Sequence, residues 1–195
     1  MFDWLQAWCA GNCAVTGYAG PRLDTSLSHV LGFKESFIPP WQYNFGDSGL
    51  VGAAFSRVLL DGGQWADIEA ELGVGQRFGS LHEQEVWVAL YGRWKYFPWN
   101  DHVRTSLAIS TGLNYADGIP PYEAQVSVSG TDHGSNLLHY FGPELTLGLP
   151  SYPNLDFVVR IHHRSGGQEI WGYAPIFKGV NGGAQELVFG LRDHF

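Results

Sequence analysis

Apolar and polar residues alternate along most of this chain with a period of two, the spacing of a strand that shows one face to an apolar phase. Between 154 and 165 the odd positions read Leu155, Phe157, Val159 and Ile161, while the even ones include Asp156, Arg160, His162 and Arg164. Between 136 and 149, Leu137, Phe141, Leu145, Leu147 and Leu149 alternate with Asn136, Tyr140, Glu144 and Thr146. From 64 to 78 the phase is opposite: Ala66, Ile68, Ala70, Leu72 and Val74 share one face, and Asp67, Glu69, Glu71 and Arg77 the other. Turn signals separate such segments. They predict strands near 13–20, 50–60, 64–78, 82–96, 102–115, 136–149, 154–165 and 185–195. Asp61-Gly62-Gly63, 97–101 and 150–153 read as tight turns; 21–49, 116–135 and 166–184 read as long loops, and 79–81 as a short one.

The polar faces carry charges of both signs, which hydrocarbon does not tolerate but a narrow lumen can pair. The turn at 150–153 brings Glu144 near Arg160, and the link at 79–81 brings Asp67 near Arg93. Trp94, Tyr96 and Trp99 gather by a short turn, where an aromatic girdle belongs. The fold expected is all-β: an antiparallel, up-and-down transmembrane β-barrel of about eight strands, filled rather than open. It forms a single domain over 1–195, with 1–12 as a terminal extension. A soluble, lipocalin-like barrel with its apolar side inward shows the same alternation and stays as an alternative.

Composition narrows the function. The chain holds 26 Gly, 8 Trp, 9 Tyr and 12 Phe, and its formal net charge of −8 argues against a nucleic-acid partner. No apolar run approaches the ~20 residues of a spanning helix, a test that barrels escape. Met1-Phe2-Asp3-Trp4 shows no signal peptide, so an exported barrel is expected here as a mature or truncated chain. Cys9 and Cys13 are compatible with a small periplasmic disulfide and equally with an incidental pair. Two thiols do not complete a metal sphere; no metal and no cofactor are expected.

The candidate chemistry lies at the outer end of the seventh strand, in Arg160-Ile161-His162-His163-Arg164-Ser165-Gly166-Gly167. His163 and Ser165, two apart, project from the apolar, lipid-facing side. An imidazole there can take the hydroxyl proton as the oxygen attacks a carbonyl, and backbone N–H groups at Gly166 and Gly167 can face the developing oxyanion. His139 falls on the lipid face beside His163 or Ser165, as a substrate-side group or as an interfacial histidine. His162 faces the lumen, which splits the three histidines. Read as structure alone, His163 and Ser165 cap a strand entering the headgroup layer.

His163-Arg164-Ser165, late in a small barrel and followed by a loop and a last strand, resembles the His-x-Ser signature of the lipid A 3-O-deacylases. The resemblance implies an eight-stranded outer-membrane barrel that hydrolyses an ester-linked acyl chain of lipid A without a cofactor. His163 would be the base, Ser165 the nucleophile, and His139, Arg164 and Gly166 would contact the substrate, Arg164 through lipopolysaccharide phosphates. The chain departs from the family pattern at two places. Asn181-Gly182-Gly183-Ala184-Gln185 puts Gln185 where the family has its Glu, and Gly166 stands where the family has Asn. Gln185 is expected beside Ser165 on the same face, with Glu169 in the loop or Glu186, which faces inward, as the alternative acid. The partners implied are lipid A or lipopolysaccharide and the bacterial outer membrane itself; a homodimer is left open. A non-catalytic outer-membrane barrel, structural or binding through the loops at 21–49 and 116–135, is the alternative.

Overall fold

The computed structural model describes residues 8–33, 35–119, 135–166 and 183–195. Nine strands run β1 Cys13–Leu23, β2 Phe45–Asp61, β3 Ala66–Gly79, β4 Gln84–Trp94, β5 Arg104–Ala116, β6 Leu137–Phe141, β7 Glu144–Gly148, β8 Leu155–Ser165 and β9 Gly183–His194. Each pairs antiparallel with its neighbours, and β9 pairs with β1, so the sheet closes. Among the described residues every strand is paired on both sides, which is what lets strands cross a bilayer.

β6 and β7 are two halves of one stave, so nine strands make the eight staves of the ring. The sequence pattern reads 136–149 as unbroken, but Pro143 has no N–H to give and the ladder lapses at Gly142-Pro143. The register runs through the gap unchanged: Gly112 faces Tyr140 and Ala108 faces Glu144. The Ile161 N–H donates to the Pro143 carbonyl (3.0 Å) and bridges the lapse.

The two faces fall as parity predicts. Val51, Leu72, Val88, Leu90, Ile109, Phe157 and Leu191 stand exposed around the outer wall. Arg77, Arg93, Arg160, Arg164 and Arg192 are buried in the lumen with Glu69, Glu71, Glu85, Glu144 and Glu186. Tyr18, Trp87, Tyr91 and Tyr140 fill the space between them. An apolar wall around an ionic interior rules out the lipocalin-like reading, which needs the reverse. Register places Glu144 opposite Arg160 and Asp67 opposite Arg93 as expected. The second pair does not bond: Arg93 reaches Glu69 (2.8 Å) and Glu144 (2.7 Å), while Asp67 takes Lys95 (2.7 Å).

At the end with the short turns, Trp65 packs on Tyr96 and Trp94, with ring centroids 4.4 and 5.8 Å apart. Cys9 and Cys13 are bridged there, and Cys13 and Phe195 exchange backbone hydrogen bonds that close the termini on each other.

The link between β1 and β2 is not a plain loop. Helix α1 spans Leu27–Leu31, opened by the Ser26 side chain, which accepts from the His29 N–H, and stopped by Gly32 at φ +69°. Leu27 and Val30 of α1 pack with Leu23 against Phe141, Ile161 and Leu187. These partners are outward-facing positions of the barrel, so the segment folds down over the wall instead of standing clear of it.

Candidate functional site

Strand parity brings His163 and Ser165 to the outer wall at the end of β8, away from the short turns. Across the ladder Ser165 faces Gly183 and His163 faces Gln185. Gln185 therefore belongs to His163 and not to Ser165: its Oε1 lies 3.2 Å from the His163 Nδ1. On the other side His139 faces Ser165, and its Nε2 is 2.9 Å from the Thr111 hydroxyl. Thr111, His139, Ser165, His163 and Gln185 thus form a polar band across β5, β6, β8 and β9, flanked on β8 and β9 by the outward apolar residues Ile161 and Leu187.

The band does not face lipid openly. His139 is 3 %, His163 4 %, and Ser165 and Gln185 each 7 % exposed. Part of the cover is the β1–β2 segment: the Gln185 Nε2–H donates to the Thr25 carbonyl, and α1 packs on Ile161 and Leu187, the next outward residues of β8 and β9. The expected lipid-exposed site is corrected to a covered one. Sequence reasoning missed α1, although Leu27, Val30 and Leu31 follow Asp24-Thr25-Ser26 at helical spacing behind a capping serine.

Below the band, the same segment and the wall enclose an apolar groove of about 650 Å³. Val30, Pro40 and Tyr43 line it from the segment, and Leu145, Val159, Ile161, Leu187 and Phe189 from the strands. Val159 and Ile161 precede His163 on one outward row, so the groove leads along β8 toward the imidazole. Burial raises the Tyr43 phenol above its ordinary value.

Gly183 makes the room between the Ser165 and His163 side chains. A Cβ there would lie 2.9 Å from the Ser165 Cβ, 3.2 Å from the His163 Cε1 and 2.8 Å from the Arg164 carbonyl oxygen. Gly183→Ala is expected to push Ser165 aside and to cost about 1–3 kcal/mol of stability by overpacking. Urea titration in detergent, followed by heat-modifiable gel migration, measures the loss.

The other candidates separate. Arg164 turns into the lumen, fully buried, and its Nη2 donates to the carbonyls of Ser135 (3.0 Å) and Asn136 (3.3 Å). An inward guanidinium cannot meet phosphates on the outer wall, so its expected substrate contact is withdrawn. Glu186 also faces inward, bonded to Arg77, and has no path to His163. His162 is buried in the lumen, 2.6 Å from Glu85 and 3.2 Å from the Tyr18 hydroxyl. Gly166 is buried next to Ser165. Glu169 and Gly167 lie outside the described residues.

No family model matches the chain, and no curated protein matches its sequence. Among solved structures, the outer membrane enzyme PagL is similar, with a TM-score of 0.58 and 11% identity over 93% of this chain and 99% of that one. The fold is that of a transmembrane β-barrel. A barrel from the de novo design of transmembrane β-barrels is similar too, with a TM-score of 0.50 and 11% identity over 95% of this chain and 96% of the other. The same architecture thus occurs in an enzyme and in a designed scaffold, and function has to be argued from the site.

Proposed function

We propose that this chain is an outer-membrane ester hydrolase that removes an ester-linked acyl chain from lipid A. The observation that carries the reading is the meeting of His163, Ser165 and Gln185 on the outer wall, at the head of an apolar groove. The lumen is occupied by paired charges and buried aromatic side chains, whereas the outer wall carries the polar band beside an apolar groove. Substrate in the outer leaflet would present its acyl chain to the groove and its ester to the polar band.

In this mechanism Ser165 Oγ attacks the ester carbonyl carbon while His163 Nε2 accepts the hydroxyl proton. The tetrahedral intermediate collapses, the C–O bond to the sugar breaks, and the proton passes from Nε2 to the departing alkoxide. Water then repeats the sequence on the acyl-serine and releases the fatty acid. Gln185 Oε1 holds the Nδ1–H throughout and leaves Nε2, which has no hydrogen-bond partner among the described residues, as the nitrogen that takes the hydroxyl proton. The backbone N–H of Gly166, next in the chain after Ser165, would be the donor for the oxyanion. An amide steadies the imidazolium by a hydrogen bond and not by charge, so turnover is expected to be slow for a serine hydrolase.

A non-catalytic barrel of the outer membrane is the second reading, favoured by the burial of Ser165 and by an amide where a carboxylate is more effective. Mass spectrometry of lipid A after incubation with the folded, detergent-solubilised chain decides between them. Loss of one hydroxyacyl chain is the expected result; unchanged lipid A with a verified barrel would leave the second reading.

A further inference from the structure

The Gln185 side chain sits between two groups that constrain it completely. On one side is the Thr25 main-chain carbonyl, which can only accept. The amide must therefore turn its NH₂ toward Thr25. That leaves Oε1, a pure acceptor, against His163 Nδ1 at 3.2 Å. For this contact to be a hydrogen bond, Nδ1 must carry the imidazole proton. The other ring nitrogen, Nε2, is buried and has no hydrogen-bond partner among the described residues. The flipped amide would set Oε1 against the Thr25 carbonyl, two lone pairs facing each other in a site where burial makes such a mismatch costly.

Thr25 is itself fixed. Its hydroxyl accepts from the Asn44 N–H (2.8 Å), and the Asp24 N–H donates to the Asn44 carbonyl (2.8 Å). The two ends of the β1–β2 segment are tied together, and α1, two residues on, is seated on Ile161 and Leu187.

We propose that the seated β1–β2 segment sets the tautomer of His163: the Thr25 carbonyl orients the Gln185 amide, and the amide keeps the proton on Nδ1 so that Nε2 is the free base. As a statement about catalysis it rests on the hydrolase reading above. It makes the segment a positioning element as well as a wall of the groove. The base is correctly protonated only while the groove that receives the chain is formed. It also accounts for the amide at 185. A carboxylate there has no proton to give to Thr25, and would put a charged acceptor against the carbonyl.

The test needs no substrate. The full chain, labelled with ¹⁵N-histidine and folded in detergent micelles, is examined at neutral pH by ¹⁵N NMR, with the His163 signals identified by their absence in His163→Asn. The wild type is expected to show a protonated Nδ1 and a bare Nε2. Gln185→Leu removes both contacts and is expected to give a mixture of tautomers or the Nε2–H form. Thr25→Val, which loses only the Asn44 bond and leaves every wall residue in place, is expected to shift the signals part of the way; it reads the same link if Gln185→Leu fails to fold. A wild type protonated at Nε2, or a Gln185→Leu variant that keeps the Nδ1–H form, overturns the proposal. The lipid A assay is read separately. Nδ1–H with intact lipid A upholds the lock and removes the hydrolase, whereas cleavage with Nε2–H removes the lock and leaves the hydrolase.

Discussion

Ser165→Ala and His163→Ala are each expected to lower acyl release from lipid A by on the order of 10³-fold or more, and the double variant to lower it no further than the worse single one. The reason for non-additivity is chemical. The hydroxyl is a weak nucleophile without the base, and the base has nothing to deprotonate without the hydroxyl, so removing either abolishes one joint step. What remains comes from the groove and from backbone donors, which neither substitution touches. The pattern of results discriminates among mechanisms. If His163→Ala loses release while Ser165→Ala retains it, the imidazole acts on water and no acyl-serine forms. If both retain it, hydrolysis occurs elsewhere on the barrel. Because His163 is buried and bonded to Gln185, acyl release is normalised to the folded fraction, read by gel migration.

The parity of residues made much of this molecule readable in advance, because a two-residue period assigns a face before any partner is known. It placed Arg160, His162 and Arg164 inside, and Val159, Ile161, His163 and Ser165 outside. Three things lay beyond it. The first is register across a long connection: the link from 166 to 184 gives no count, and Gln185 came out opposite His163, two pairs along the ladder from the expected Ser165. The second is reach. Register set Asp67 beside Arg93 as expected, but the Arg93 guanidinium is long enough to pass over Asp67 to Glu69 and, across the lumen, to Glu144. The third is the cover. α1 is five residues long, too short for a periodicity to stand out, and where it docks is a long-range packing choice. The Thr25 contact is less visible still, since a main-chain carbonyl leaves no mark in the side-chain sequence.

Arg160→Met is expected to destabilise the barrel by about 3–5 kcal/mol, measured by urea titration in detergent with gel migration as the readout. Arg160 is fully buried and binds Glu71 through two bonds (2.9 and 2.8 Å) and Glu144 through Nε (2.6 Å). Methionine fills similar space but leaves those carboxylates less well matched. Glu144 keeps Arg93 at 2.7 Å, whereas Glu71 keeps only neutral donors, the Trp87 Nε1–H (2.9 Å) and the Tyr91 hydroxyl (3.1 Å). Most of the penalty therefore belongs to the stranded charge of Glu71. Arg160→Met with Glu71→Gln removes one charge of each sign, and is expected to recover more than half of the loss, because an amide accepts from Trp87 and Tyr91 without needing a cation. No recovery would mean that the arginine contributes by spanning the lumen and not by compensating a charge. The neighbours of Arg160 in sequence, Val159 and Ile161, face the groove on the opposite side of the same strand. Acyl release per folded barrel is accordingly expected to stay near the wild-type value in both variants, which separates the lumen that holds the wall in shape from the wall that would do the chemistry.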